Sequence, residues 1–318
     1  MARVNNRASP LAMPLHYQSY EFTPVLGWSI SRYELFDKCK RQYYYAYYAK
    51  HAAEIPRYKI TQLKNLTSAP LEIGTVVHDV IEAFLRRLQA SDAAIDENRF
   101  FLFARQKAEE YFSTKTFIEN YYGSLRPTPL DEALAKISAC LKNFLGSPCY
   151  NWIFMKALTN KNDWLIEPPG FGETRLNGMK AYCKMDFLFP VDGAVYILDW
   201  KTGNKDAHKH ENQLVGYAAA ANNNFNIPAN DIVPKIVYLY PAFEELELPM
   251  QKDFSSFFEK VKRETEAMYA LCNDVENNIP LAIESFPQSP SAGTCLYCNF
   301  QELCFSRKGF PAAGKEGF

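Results

Sequence analysis

The chain has 318 residues, 47% of them hydrophobic, which is enough for a substantial core in one large domain or two smaller ones. Its 35 basic and 36 acidic side chains leave a net charge of -1, so no molecule-wide basic field draws in nucleic acid and any such site must be a local patch. No apolar run is long enough to span a bilayer and no signal-peptide pattern opens the sequence, so no membrane association is expected and the expected location is cytoplasmic.

Residues 1–28 lack a clear period and are expected to form an extended N-terminal arm. Ser31 and Glu34 have the spacing of a capping box, which predicts a helix from Ser31 to about residue 48. This helix carries Lys38, Lys40, Arg41 and Lys50 among five tyrosines. Two outcomes are open: basic groups hold phosphates while Tyr44 and Tyr48 stack on unpaired bases, or the rings pack inward and the lysines are merely solvated.

The next helix, "LEIGTVVHDVIEAFLRRLQA" at 71–90, aligns Val77, Ile81, Phe84 and Leu88 on one side. His78 lies at the flank of that face, one turn after Gly74, where a glycine allows close approach of other backbone. Amphipathic segments at 99–113 and 130–145, separated by "GSLRPTP", read as a helical insertion over 91–160. From Trp164 onward, short apolar runs at 164–167, 180–189, 194–201 and 234–240 read as strands. The helix "HENQLVGYAAAAN" falls between the last two, another helix covers 254–272, and a Gly- and Lys-rich tail, 305–318, is expected to be flexible. This order predicts an α/β fold with a mixed central sheet flanked by helices.

"KMDFLFPVDGAVYILDWK" reads as a hairpin turning at Asp192-Gly193. Counted outward from that turn, Asp186 falls opposite Asp199, and Lys201 shares the Asp199 face. Two carboxylates about 5 Å apart repel. Lys201 alone would neutralise only one of them, whereas a divalent cation held by hard oxygen ligands, magnesium or manganese, accounts for both. On the helix that follows, Gln213 and Tyr217 stand at i and i+4 and share a face suited to orienting a substrate phosphate or the lysine.

The eight cysteines of a reducing compartment are expected to be buried thiols or metal ligands rather than disulfides. "CLYCNFQELC" supplies Cys295, Cys298 and Cys304, and three thiolates need a fourth ligand. Cys39, Cys140, Cys149, Cys183 and Cys272 are the candidates, and Cys39 would tie the first helix to the C-terminal region. Zinc and a four-iron four-sulfur cluster both accept such a set, and spacing does not separate them.

The pieces "GTVVH", "KMDF", "DWK" and "QLVGY", in that order, resemble the PD-(D/E)XK nuclease superfamily, in particular its RecB-like branch with the AddB nuclease domain and the CRISPR-associated adaptation exonucleases. "FDKCKRQYYY" and "CLYCNFQELC" resemble the cysteine elements of the iron-sulfur members of that branch. The resemblance implies a restriction-endonuclease-like core in a single nuclease domain over 29–304, stapled by a 4Fe-4S cluster on Cys39, Cys295, Cys298 and Cys304, the segment 290–304 closing onto Cys39. It implies magnesium or manganese on His78, Asp186, Asp199 and the Trp200 carbonyl. Lys201 would position or activate the attacking water, with Gln213 and Tyr217 in support. An upstream acidic residue would be Glu167, with Glu173 competing for the role.

The implied activity is metal-dependent hydrolysis of DNA, as an exonuclease acting on ends in repair, recombination or foreign-DNA processing. The alternatives are DNA trimming of the CRISPR-adaptation type and a non-catalytic iron-sulfur end-binding subunit of a helicase-nuclease complex. A helicase or other DNA-processing subunit is the implied partner.

Overall fold

The computed structural model describes residues 20–91, 93, 95–167, 172–249 and 253–305. Most of the expected N-terminal arm and of the tail lies outside them. The chain divides into two compact units: residues 1–22, 73–107 and 134–261 form the first, and residues 23–72, 108–133 and 262–318 the second.

The first unit is a mixed α/β structure. Its five-stranded sheet has the order Leu165–Ile166, Phe187–Val191, Ala194–Lys201, Ile232–Tyr238, Glu244–Glu247. All neighbours are antiparallel except Ala194–Lys201 and Ile232–Tyr238, which are parallel. A parallel pair needs a crossover, and the helix Ala207–Phe225 provides it.

The hairpin forms as its sequence dictates. Asp192 and Gly193 adopt φ 50° and 85°, the two positive values of a type I′ turn, and Val191 pairs with Ala194. Every residue of Phe187–Val191 is buried, so this strand is covered on both faces. The helix Ala69–Ala90 buries Val77, Ile81, Phe84 and Leu88 as its period requires. Phe84 meets Phe144 and Tyr150 at ring-centroid distances of 5.7 Å each, and Phe144 meets Trp200 at 5.4 Å. Part of the expected insertion thus packs onto the strand that carries Asp199 and Lys201.

The expected strand 180–189 is two elements. Met179–Tyr182 pairs with Glu173–Leu176 in a separate hairpin, and Phe187–Val191 joins the central sheet. Between them Cys183 donates its N–H to the Gly172 carbonyl at 2.9 Å, and the Asp186 carbonyl accepts the Glu167 N–H at 2.9 Å. These bonds draw the backbone out of the ladder, which ends at Phe187 opposite Leu198. Asp186 therefore keeps the expected register but stands just beyond the strand.

In the second unit the expected single helix is two, Ile30–Lys38 and Lys40–Tyr47. Its N-cap is Ser29, whose Oγ accepts the Arg32 N–H, rather than Ser31. Cys39 breaks it with extended backbone at φ -161° and ψ 108°. Leu26 and Trp28, from the end of the expected arm, are fully buried, and Trp28 Nε1 donates to Glu264 Oε2 at 2.8 Å. Distant segments are tied together by Tyr48 donating to Asn278, Arg41 to the Phe286 carbonyl, and Asn299 to the Leu66 carbonyl.

Candidate active site

Four pieces of the first unit converge at one edge of the sheet. The helix Ala69–Ala90 brings His78, the end of Leu165–Ile166 brings Glu167, the start of Phe187–Val191 brings Asp186, and the end of Ala194–Lys201 brings Asp199, Trp200 and Lys201. Gly74 is what lets the helix come close: a Cβ there would lie 3.2 Å from Thr202 Oγ1.

His78 touches both neighbours of the sheet edge. Its Nδ1 lies 3.3 Å from Asp186 Oδ2, and its Nε2 is 2.9 Å from the Trp200 carbonyl oxygen. The same Asp186 Oδ2 accepts the Trp200 N–H at 2.9 Å. His78, Glu167 and Asp186 each place one ligand atom within 4.8 Å of the others, a spacing that suits a metal ion. Glu173, the competitor for the upstream acidic position, is instead paired with Arg175 on its own strand. Glu167 holds a positive φ of 46°, a costly conformation for a side chain of its size, and is ion-paired to Lys184.

Asp199 sits deeper, with 2% exposure. Its Oδ1 accepts the Tyr217 hydroxyl at 2.7 Å and Gln213 Nε2 at 3.3 Å. Its Oδ2 lies 2.5 Å from Lys201 Nζ, an ion pair without the alignment of a hydrogen bond. Gln213 also donates to the Tyr217 hydroxyl, so the two form one bracket around the carboxylate.

The two carboxyls are driven apart in acidity. Burial opposes ionisation of Asp186, but the charge and hydrogen bond of His78 and the Trp200 N–H hold it below the usual carboxylate range. Burial and the neighbouring Asp186 charge push Asp199 above that range despite Lys201. Burial likewise disfavours a charged His78, yet Asp186 and Asp199 outweigh it and raise the imidazole to about 9. Burial and Asp186 raise Glu167 against the pull of Lys184. So much negative charge in a confined space favours a cation.

A family model for the PD-(D/E)XK nuclease superfamily matches residues 27–305. The chain belongs to that superfamily. The mixed sheet flanked by helices is consistent with the PD-(D/E)XK nuclease fold, and members of the superfamily are metal-dependent nucleases that typically use magnesium or manganese. None of the curated proteins matches the chain. Among solved structures, "Crystal structure of SSO0001" is 15% identical, covering 67% of this chain and 98% of its own at a TM-score of 0.29.

In this PD-(D/E)XK chain, the second unit gathers the remaining expected ligands. Cys39, Cys295, Cys298 and Cys304 line one small pocket with Tyr45, Phe300 and Gln301. Burial pushes the Cys298 thiol up to about 12 and the Cys304 thiol to about 11, the neighbouring sulfurs adding to both. Cys140, Cys149 and Cys183 are buried elsewhere, and Cys272 contacts the Tyr48 hydroxyl.

The tyrosine-rich helix departs from the stacking expectation. Tyr44 and Tyr48 are 3% and 1% exposed and pack on Phe286 at 4.9 and 6.1 Å, leaving no ring face open to a base. Five tyrosines within six residues cannot all remain in water: Tyr43, Tyr44, Tyr45 and Tyr48 are buried, and Tyr47 stays exposed. Arg41 donates its Nε to the Phe286 carbonyl at 2.8 Å, and Lys40 Nζ lies 4.6 Å from the Phe36 ring centroid. Lys38 is exposed.

Two site residues escaped sequence reasoning. Lys184 stands two residues before Asp186 in "KMDF", and that proximity was a usable signal. Thr202 carried none, because its contact with Gly74 is purely tertiary.

Proposed function

We propose that this chain is a metal-dependent deoxyribonuclease, acting as an exonuclease on DNA ends in repair, recombination or foreign-DNA processing. The observation that carries the reading is the convergence of His78, Glu167 and Asp186 beside the Asp199–Lys201 pair. His78, Glu167, Asp186, Asp199 and the Trp200 carbonyl would hold magnesium or manganese, which when bound polarises the scissile phosphate and acidifies water. Lys201 then places positive charge where the phosphate gains negative charge. Gln213 and Tyr217 fix the Asp199 carboxylate and keep Lys201 aimed. The motif order supports the RecB-like branch and, through it, action at ends.

We further propose a 4Fe-4S cluster on Cys39, Cys295, Cys298 and Cys304. The raised Cys298 and Cys304 thiols in that pocket stay protonated unless a metal centre takes the protons' place. What favours the iron-sulfur cluster over zinc is the resemblance of "FDKCKRQYYY" and "CLYCNFQELC" to the cysteine elements of the iron-sulfur members of the RecB-like branch.

The test is incubation of anaerobically purified protein with end-labelled single- and double-stranded DNA in magnesium, manganese or EDTA. Mononucleotide release in either metal and none in EDTA is the expected result. Release from a covalently closed circle would overturn end-directed action, and equal activity in EDTA would overturn the metal dependence.

A further inference from the structure

Lys184 has no part in the scheme above, yet it touches that site directly. Its ammonium is ion-paired to Glu167, whose side chain is 15% exposed, while Lys184 itself is 53% exposed. Asp186 and Glu82 also face it and, with Glu167, hold its charge against the cost of burial. The other cations nearby are committed more fully. Lys201 is 23% exposed and bound to Asp199, and Arg86 spans Glu82 and the Ile166 carbonyl.

We propose that Lys184 is an exchanging counter-charge: it holds the Glu167 carboxylate until a divalent cation takes that ligand, and its released ammonium then binds a phosphate of the DNA. This rests on the metal-site reading given above. One carboxylate oxygen of Glu167 lies within 4.8 Å of a ligand atom of His78 and of Asp186, and the same carboxylate is in contact with Lys184. A divalent cation on that carboxylate would repel an ammonium in contact with it.

The backbone beneath Lys184 does not need to move. Cys183 is bonded to Gly172, and Gly172 packs so closely that a Cβ there would sit 2.3 Å from the Cys183 carbonyl oxygen. Only the four-carbon stem swings, on the half-exposed side from which a substrate phosphate would approach.

The experiment is manganese titration of the EDTA-stripped full chain without DNA, followed by binding of a fluorescent single-stranded oligonucleotide in calcium over a series of salt concentrations. Lys184→Gln should bind manganese about threefold to fivefold more tightly than the parent protein, as loss of one competing ion pair requires. The same variant should bind the oligonucleotide more weakly, with the slope of log affinity against log salt reduced by about 0.7, the value of one phosphate contact. Lys184→Arg should keep the phosphate contact.

Opposite signs for metal and DNA are the signature, since a merely structural role would weaken both. Manganese affinity that is unchanged or lower in Lys184→Gln overturns the exchange, as does unchanged oligonucleotide binding. Glu167→Gln and Asp186→Asn run beside it: if both bind manganese like the parent, the metal-site reading itself fails, a result distinct from failure of the exchange alone.

Discussion

Lys201 and Asp199 form a pair in which the carboxylate is buried and the ammonium offsets its charge at Oδ2. If Lys201 supplies positive charge to the reacting phosphate, Lys201→Ala should lower cleavage by about 100-fold or more, the scale of losing one well-placed electrostatic group. A steady-state assay in magnesium checks this, with circular dichroism to establish that the variant folds. His78 makes a separate prediction. Its folded value of about 9 exceeds the ordinary 6.5, so the imidazolium–Asp186 pairing stabilises the metal-free protein fully below pH 6.5 and is lost as pH rises through 9. In EDTA, the Tm difference between the parent and His78→Asn should therefore shrink between pH 6.5 and 9. A constant difference would mean that His78 is neutral throughout.

At the scale of elements, the site depends on two close approaches. Gly74 in the helix faces Thr202 Oγ1 at 3.2 Å from its missing Cβ, one turn before His78. Gly74→Ala gains about 0.5–1 kcal/mol of helix propensity, which offsets the clash in stability. The clash still moves His78 off the Trp200 carbonyl, so cleavage should fall by about tenfold with Tm little changed, since small misplacements near reacting groups are costly. Thr202→Ala in the same background should recover part of the loss if the clash is the cause. Gly172 is more constrained. Its φ of 67° and the 2.3 Å approach to the Cys183 carbonyl leave no room for a methyl group. Gly172→Ala should cost about 2–3 kcal/mol in denaturant unfolding, within the range of strained-backbone lesions. The hairpin that carries Asp199 was legible because a turn of two residues and a period of two leave one register. The break at Cys183–Asp186 was not legible, because it is imposed by Gly172 and Glu167, which the chain supplies from elsewhere.

At the scale of the whole molecule, the cysteine pocket unites Cys39 with residues more than 250 positions later in the sequence. If a cluster closes that loop, Cys39→Ser should lose iron, from about four per chain to near zero, and lower the Tm, because a cross-link over so long a loop stabilises by several kcal/mol. Iron analysis and a thermal melt check both. Retained iron would place the fourth ligand elsewhere.

Local rules carried much of this protein. Periodicity and turn chemistry in the sequence determined the long amphipathic helices, though not the break at Cys39, together with the Asp192-Gly193 hairpin and the shared face of Asp199 and Lys201, because each depends on neighbours a few residues away. Tertiary structure alone decided that Tyr44 and Tyr48 go inward, that Glu167 rather than Glu173 meets His78 and Asp186, and that Lys184 stands guard on Glu167. Those outcomes depend on which distant surfaces compete for the same space and charge, and spacing along a chain carries no record of that competition.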